Sequence, residues 1–295
     1  MKIRKGGILF FDSGIGGLTV LQETLMCFSN QVFFYYGDND HAPYGNLSAL
    51  EIQRRVNAVF REMENYEITL AVLACNTATA ICAEELRARY TYPIVGAEPA
   101  IVPAMKGGGE VLVLATKATC ESTRFRLLCE KGQKEYPNAV LELFACEGLA
   151  GEIENSVEKG EWNISSYLPP KRPNSVVLGC THYVYAKKEI EDFYGCSVWD
   201  GNAGIAKRVH SIMQSKTTQN HFYRDEQPLK TPTFASECAR TDFLLKNGKN
   251  KQVFYENQAK EDCFIDEKNN RIFFLGTQKN RNKHIFEQMF ANIRK

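Results

Sequence analysis

Two cysteines have similar surroundings at distant places in the chain. Cys75 lies in LAVLACNT, residues 70–77, and Cys180 lies in SVVLGCTH, residues 175–182. Each segment is an apolar run, then a small residue, then the cysteine, then residues with hydrogen-bonding side chains. A single cysteine in such a place is most simply a small buried side chain. The same pattern repeated 105 residues later indicates instead two thiols with related roles.

Thiols in these positions can act as acids and bases. A cysteine that begins a helix has unpaired N–H groups and a partial positive charge beside it, which predicts a thiol pKa below the usual ~8.5. The same N–H groups bind carboxylates, which suits a small anionic substrate. If two such thiols face one carbon from opposite sides, one can remove a proton α to a carboxylate while the other delivers one. That reaction inverts a stereocentre without a cofactor.

Two further side chains could hold the protons of these thiols. Asp12 ends an apolar run and precedes a glycine-rich stretch, and His182 follows Cys180 by two positions. Taken alone, Asp12 could be a helix N-cap and His182 a structural histidine. All four residues nevertheless stand at predicted strand ends, so we interpret them as one site. From their roles we pair Asp12 with Cys75 and His182 with Cys180.

Short apolar strands alternate with helix-like segments along most of the chain. Predicted strands lie at 7–11, 32–36, 70–74, 94–95, 111–115, 140–144, 175–178, 252–255 and 271–275, and predicted helices at 18–28, 48–64, 77–90, 119–132, 147–159 and 283–293. This alternation predicts an α/β fold with parallel sheets covered on both faces. The pattern restarts near Pro99 and again near Asp200, which indicates two α/β units. Ligand sites lie beyond the carboxyl ends of such strands, so two facing strand ends would place the thiols across one cleft.

The composition is that of an ordinary globular enzyme. The 295 residues are 44% hydrophobic and 24% charged, with a net charge of +1, which gives neither a nucleic-acid footprint nor a membrane-surface patch. No stretch reaches the ~18 apolar residues of a spanning helix, and no signal peptide is recognisable, so we expect a cytoplasmic protein. The ten cysteines include no Cys-x-x-Cys pair, which is typical of reduced thiols.

Four segments together resemble the signature segments of a known family. They are FFDSGIGGLTVL (10–21), YYGDNDHAPYG (35–45), LACNTATA (73–80) and LGCTHY (178–183). In order and spacing they are similar to those of the glutamate racemases, which belong to the cofactor-independent aspartate/glutamate racemase superfamily. The resemblance implies interconversion of L- and D-glutamate without cofactor or metal, a supply of D-glutamate for peptidoglycan, and a homodimer.

The resemblance also implies roles for individual residues. Cys75 and Cys180 would be the two bases, assisted by Asp12 and His182. Substrate-binding positions carry over to Ser13, Pro43, Tyr44, Gly45, Asn76, Thr77, Thr116, Thr119, Thr181 and Glu154, the last of these near the histidine. The implied fold has two similar, pseudo-symmetric α/β domains with the active site in the cleft between them. One domain would comprise residues 1–97 plus 206–295, and the other residues 98–205.

Three other interpretations stay open at this point. A sister racemase acting on aspartate or a related amino acid would share the site chemistry and differ in pocket size. A metal-binding module would use the two cysteines, the aspartate and the histidine as zinc ligands, although no pair of them has the usual Cys-x₂₋₄-Cys spacing. A thiol redox protein would join the two cysteines in a disulfide, although that chemistry does not require Asn76, Thr77 or Thr181.

Overall fold

The computed structural model describes residues 6–222 and 263–293, whose strands form two sheets. The strands are β1 (Gly7–Asp12), β2 (Val32–Asp38), β3 (Ile68–Leu73), β4 (Ile94–Gly96), β5 (Gly109–Ala115), β6 (Ala139–Ala145), β7 (Ser175–Leu178), β8 (Ser197–Trp199), β9 (Cys263–Ile265) and β10 (Arg271–Thr277). The first sheet has the order β4-β3-β1-β2-β10-β9 and the second the order β6-β5-β7-β8. Neighbouring strands are parallel, except that β9 and β10 are antiparallel. The predicted α/β class with mostly parallel sheets is confirmed.

Helices occupy most connections between these strands. They are α1 (Gly17–Leu25), α2 (Ala49–Glu62), α3 (Asn76–Arg89), α4 (Ile101–Met105), α5 (Lys117–Glu121), α6 (Thr123–Glu135), α7 (Leu149–Ser156), α8 (Lys187–Tyr194), α9 (Asn202–Phe222) and α10 (Lys279–Ile293). Short 3₁₀ helices lie at Asn39–His41, Tyr44–Asn46, Met63–Asn65, Ser165–Tyr167 and Thr181–Ala186. Within the described ranges, no helix has the combined length and apolar character that crossing a bilayer requires.

Both faces of the first sheet are covered, which explains the continuous apolar sequence of its strands. In β1, Ile8 and Phe10 pack with residues of α1 and α9 on one face. Leu9 and Phe11 pack with residues of α2 and α3 on the other face. All four side chains are fully buried. A parallel strand between two helical layers needs apolar residues at successive positions, and β1 has them.

The first sheet combines strands from the two ends of the described chain, and the second sheet comes from the middle. Strands β1 to β4 share a sheet with β9 and β10, whereas β5 to β8 form the other sheet. The predicted domain boundaries at residues 97/98 and 205/206 stay a prediction. The strand predicted at 252–255 lies outside the described residues.

Some predicted elements differ in their bounds. The helix predicted at 119–132 is two helices, α5 and α6, because Ser122 has an extended backbone between them. Its hydroxyl accepts from the N–H of Phe125 at 3.2 Å and so caps α6. The last helix begins at Lys279, before the predicted residue 283. The sequence patterns did not indicate α4, α8, α9 or β8.

Candidate active site

Strand ends from both sheets meet at one cleft. β1 ends at Asp12 in the first sheet, and β3 of the same sheet leads into Cys75. β7 of the second sheet leads into Cys180. The hydroxyl of Thr181 donates across the cleft to Oδ2 of Asp12 at 3.3 Å. The two thiols therefore come from different sheets and lie at the carboxyl ends of their strands, where ligand sites of parallel sheets are found.

Cys75 caps helix α3, and its thiol is buried. Sγ accepts a hydrogen bond from the N–H of Ala78 at 3.4 Å. Burial and the nearby Asp12 carboxylate raise the pKa of the Cys75 thiol to about 12, although the N–H of Ala78 and the side chain of Ser13 act in the opposite direction. The predicted lowering of this pKa is therefore wrong for the protein by itself. Removing the thiolate from water outweighs the favourable helix N-terminus.

Cys180 is placed by a tighter turn than the sequence predicted. The segment after β7 is the 3₁₀ helix Thr181–Ala186, and the Cys180 side chain does not cap it. Cys180 therefore begins a helix as predicted, although it is a 3₁₀ helix and its first residues donate no hydrogen bond to the thiol. The turn brings Nδ1 of His182 to 3.8 Å from Sγ of Cys180. Tyr183 anchors the turn in the core, because its buried hydroxyl donates to the carbonyl oxygen of Cys146 at 3.2 Å.

His182 and Glu154 form a buried ion pair behind Cys180. Nε2 of His182 lies 2.6 Å from Oε2 of Glu154, and both side chains are buried. Burial lowers the pKa of His182, but Cys180 and Glu154 outweigh it and hold that pKa well above its ordinary value. Burial raises the pKa of Glu154, but His182, the N–H of Ile15 and Arg281 bring it below its ordinary value. Both shifts favour a protonated imidazole, which lies between a carboxylate and a thiol.

Asp12 is fully buried beneath the glycine-rich loop. Its Oδ1 accepts from the N–H of Gly14 at 2.8 Å. Burial raises the pKa of the Asp12 carboxyl, even though His182 and the N–H of Gly14 act against burial. The residue that caps α1 is Gly16, so the interpretation of Asp12 as a helix N-cap is wrong. A carboxyl with a raised pKa beside a buried thiol can exchange protons with it.

Three of the predicted substrate-binding threonines form one hydroxyl cluster. Oγ1 of Thr77 lies 3.1 Å from Oγ1 of Thr116 and 3.3 Å from Oγ1 of Thr119, and the last two atoms are 2.9 Å apart. Gly45 packs against this cluster, since a Cβ there would lie 2.8 Å from Cβ of Thr116. Thr77 belongs to α3 and Thr116 follows β5, so the cluster joins the two sheets. Hydroxyl groups beside the N-terminus of α3 suit a bound carboxylate.

The other predicted binding residues surround the thiols. Ser13 is buried, and its side chain favours the thiolate of Cys75. Asn76 lines a small cavity together with Cys180 and Thr181. These side chains therefore lie on both sides of the space between the two cysteines.

The loop that carries Pro43, Tyr44 and Gly45 borders a larger cavity. Tyr44 is fully buried, and its hydroxyl donates to Oδ2 of Asp38 at 2.7 Å. Because the phenol is buried and its hydroxyl is already bonded to Asp38, Tyr44 can contact a ligand only through its backbone. A cavity of about 450 Å³ lies beside the loop, and Gly45 and Thr116 are among the residues that line it. Its size is that of a small-molecule site.

Four residues of the surrounding network were not predicted from the sequence. They are Asp38, Asn39, Arg281 and Asn282. The first two lie in the YYGDNDHAPYG segment, so its polar residues could have drawn attention to them. The last two come from α10, where no motif marked them.

The four residues proposed from the sequence do not form a metal site. Over the described part of the chain, no group of three or more His, Cys, Asp or Glu side chains is arranged to hold a metal ion. Cys75 and Cys180 are both free thiols. The zinc interpretation of the sequence therefore has no support from the side-chain arrangement.

Replacing Gly16 with alanine is expected to destabilise the protein. A Cβ at this position would lie 2.7 Å from Nδ1 of His182 and 2.9 Å from its backbone nitrogen. Because this contact is against a buried ring and backbone, we expect Gly16→Ala to lower the free energy of unfolding by about 1–3 kcal/mol. Urea denaturation followed by circular dichroism measures this change.

Gly204 supplies the matched control for this substitution. It lies in α9, and a Cβ there would meet no atom within 4 Å. Gly204→Ala should leave the unfolding free energy unchanged or raise it by up to about 1 kcal/mol. Equal urea midpoints for Gly16→Ala and wild type would contradict a rigid contact between the glycine loop and His182.

Comparisons with known proteins agree with one another. The family model described as Asp/Glu/Hydantoin racemase matches residues 26–209. A curated glutamate racemase of Clostridium perfringens is 36% identical over 232 residues, which cover 75% of this chain and 88% of the relative. The crystal structure of Escherichia coli glutamate racemase with L-glutamate and the activator UDP-MurNAc-Ala has a TM-score of 0.63 at 28% identity, covering 72% of this chain and 83% of that one. The glutamate racemase of Francisella tularensis with D-glutamate gives a TM-score of 0.60 at 26% identity, covering 72% and 82%.

Proposed function

This chain belongs to the Asp/Glu/hydantoin racemase family and racemises glutamate, and we propose that Cys75 and Cys180 are the two acid–base groups of the reaction. One observation carries the proposal: the two thiols end strands of different sheets, and each has its own proton-holding partner. The imidazole of His182 lies 3.8 Å from Sγ of Cys180. The charge of Asp12 acts on Cys75. This is the pairing that a two-base racemase needs.

The proton transfers follow from this pairing. The thiolate of one cysteine takes the Cα proton, so the Cα–H bond breaks and an S–H bond forms. The electron pair left on Cα delocalises into the α-carboxylate. The thiol of the other cysteine then gives its proton to the opposite face, so its S–H bond breaks and a new Cα–H bond forms. The product is the other enantiomer, and the two sulfur atoms have exchanged protonation states. The reaction needs neither a cofactor nor a metal ion.

Because the pKa of Cys75 is high, we propose that the bound substrate helps to form the Cys75 thiolate. Burial and Asp12 keep this thiol protonated at neutral pH, since they raise its pKa to about 12. The ammonium group of a bound glutamate brings a positive charge, which favours the thiolate. Asp12, whose own pKa burial raises, can accept the proton that the thiol releases. A bound amino acid thus favours formation of the thiolate base at Cys75.

Side chains on both sides of the cleft would hold the two carboxylates of glutamate. We assign this role to the hydroxyl cluster of Thr77, Thr116 and Thr119. Ser13, Pro43, Tyr44, Gly45, Asn76 and Thr181 complete the binding residues that we propose. Hydroxyl and amide donors and backbone N–H groups fix a carboxylate without adding a titrating charge next to the thiols.

The matching curated relatives favour glutamate over aspartate as the substrate. The relatives from Clostridium perfringens, Clostridium novyi and Leptospira interrogans are all glutamate racemases. We propose further that the enzyme supplies D-glutamate for peptidoglycan and works in the cytoplasm as a homodimer. Free thiols at nine cysteines of the described residues fit a reducing compartment. Light scattering on the purified protein tests the dimer.

The purified protein should racemise glutamate in D₂O with no pyridoxal phosphate added. We expect L-glutamate to lose its circular dichroism signal as it approaches a racemic mixture, and NMR to show deuterium at Cα. Incubation with D-glutamate should reach the same end point. Aspartate under the same conditions serves as the comparison. Racemisation of aspartate but not of glutamate would contradict glutamate as the substrate. Racemisation of neither amino acid would contradict the racemase activity.

A further inference from the structure

We propose that Arg281, in the first turn of the last helix, is a positioning residue that holds Glu154 in place behind His182 and Cys180. The inference rests on the proposed function and adds to it a residue far from every motif of the sequence. Arg281 touches neither thiol, so it acts through Glu154. The C-terminal helix α10 would then be a working part of the active site.

Arg281 makes two hydrogen bonds to Glu154 and a third to Glu158. Its Nη1 donates to Oε1 of Glu154 at 2.9 Å, and its Nη2 donates to the backbone carbonyl oxygen of the same residue. Its Nε donates to Oε2 of Glu158, just beyond the end of α7, at 3.1 Å. The guanidinium is planar and its donors have fixed directions, so these bonds set the orientation of the carboxylate as well as its charge.

The Glu154 carboxylate receives four donors. Oε1 accepts from Arg281 and, at 3.2 Å, from Nδ2 of Asn39. Oε2 accepts from the N–H of Ile15 at 3.1 Å and faces Nε2 of His182 at 2.6 Å. The three donors other than His182 bond a carboxylate more strongly than a neutral carboxyl group, so they oppose transfer of the shared proton to Glu154. They favour the proton on His182.

A second residue of α10 supports this arrangement. Asn282 is fully buried. Its side-chain amide exchanges hydrogen bonds with that of Asn39, at 2.8 Å in one direction and 3.0 Å in the other. Asn39 is thereby aimed at Glu154. Two neighbouring residues of the last helix thus reach the same carboxylate oxygen, one directly and one through Asn39.

The charge of Arg281 favours the ionic form of the Glu154–His182 pair. The guanidinium lies on the carboxylate side of the pair. A cation there stabilises the ionic state, a carboxylate facing an imidazolium, more than the neutral state, a carboxylic acid facing a neutral imidazole. The other titratable groups that face the pair are Asp12 from β1, Tyr35 from β2, and Cys180 and Tyr185 from the turn after β7. These four groups are neutral or anionic, so none of them replaces the guanidinium.

The first measurement determines the protonation state of the His182 imidazole directly and does not depend on turnover. The ¹⁵N shifts of the five histidines are recorded at neutral pH, and the His182 signals are assigned by their loss in His182→Asn. Wild type should show a doubly protonated ring. Arg281→Met should move the His182 shifts toward those of a neutral ring. Arg281→Lys keeps the positive charge but not the planar guanidinium, so its His182 shifts should lie between those of wild type and Arg281→Met. Unchanged shifts in Arg281→Met would overturn the inference even if the chain had no racemase activity.

The second measurement uses isotope effects on racemisation. The enantiomers have equal free energies, so kcat/KM must fall equally in both directions, and we expect a loss of about 10- to 100-fold in Arg281→Met. The defect acts on Cys180. For the enantiomer that Cys180 deprotonates, Cα–H cleavage stays rate-limiting and α-deuteration has its full effect. For the other enantiomer, reprotonation by Cys180 limits the rate and the isotope effect falls.

Controls separate this role from a general loss of folding. Arg208→Met removes an exposed arginine from α9 and should match wild type in rate and isotope effects. A merely structural role of Arg281 would lower activity while leaving the two isotope effects equal, and this outcome would overturn the inference. If Arg281→Met does not fold, Arg281→Lys and Arg281→Gln undergo the same two measurements. Inactive wild type would instead contradict the proposed function.

Discussion

Replacing Cys180 with serine is expected to lower kcat/KM for glutamate racemisation by about 10³-fold or more. Serine has nearly the same shape, but its hydroxyl is a far weaker acid than a thiol, so neither the base nor the acid form is useful near neutral pH. Cys75→Ser should have a loss of the same order. Both rates are measured by circular dichroism in each direction.

The residual proton exchange of these two variants gives a sharper test than the rates. With one working thiol, a proton removed from Cα can only return to the same face. In D₂O, Cys180→Ser should therefore exchange the α-proton of one enantiomer without inversion, and Cys75→Ser should exchange that of the other enantiomer. Cys82→Ser, at a buried position of the same helix as Cys75, should keep near wild-type racemisation. Near wild-type rates in either site variant would refute the two-thiol mechanism.

His182→Asn is the substitution for which we expect the next largest effect, a loss in kcat/KM of about 10²-fold or more. The imidazolium lies 3.8 Å from Sγ of Cys180, and it supplies and receives the proton of that thiol. Its loss also removes the imidazole donor from Oε2 of the buried Glu154 and leaves only the N–H of Ile15 on that oxygen. Steady-state rates and the α-deuterium isotope effects for both enantiomers should reveal the change.

The isotope effects should become unequal in the same sense as in Arg281→Met, because both substitutions act on Cys180. His284→Asn provides the control, since His284 is exposed on α10 and contacts Gln288. It should behave as wild type. Equal isotope effects in His182→Asn would mean that His182 serves both thiols or neither, and the pairing of His182 with Cys180 would be wrong.

The positions of Asp12, Cys75, Cys180 and His182 at strand ends could be anticipated because apolar runs are local signals. Each run ends where a buried strand reaches the sheet edge, and the polar residue that follows has to lie there. Parallel strands then gather these ends at one side of a sheet. The α/β class followed from the same alternation of runs and helices.

The electrostatics and the long-range contacts could not be anticipated in this way. The sequence shows that Cys75 begins a helix, but not that burial and Asp12 raise its pKa to about 12. The 3₁₀ turn after Cys180 depends on the burial of Tyr183 among core residues distant in sequence. Arg281 reaches Glu154 across 127 residues because β10 lies next to β2, and no local pattern encodes that neighbour.

The place of β10 in the first sheet has a consequence for synthesis of the chain. Among the described strands, β10 is the one that covers the outer edge of β2, whose sequence VFFYYGD is rich in aromatic residues. On the ribosome, β1, β2 and β3 emerge long before β10, and an uncovered aromatic edge can pair with another nascent chain. The same final segment brings Arg281 and Asn282 to Glu154. Synthesis must therefore reach β10 and α10 before this edge of β2 is covered and the hydrogen bonds around Glu154 are complete.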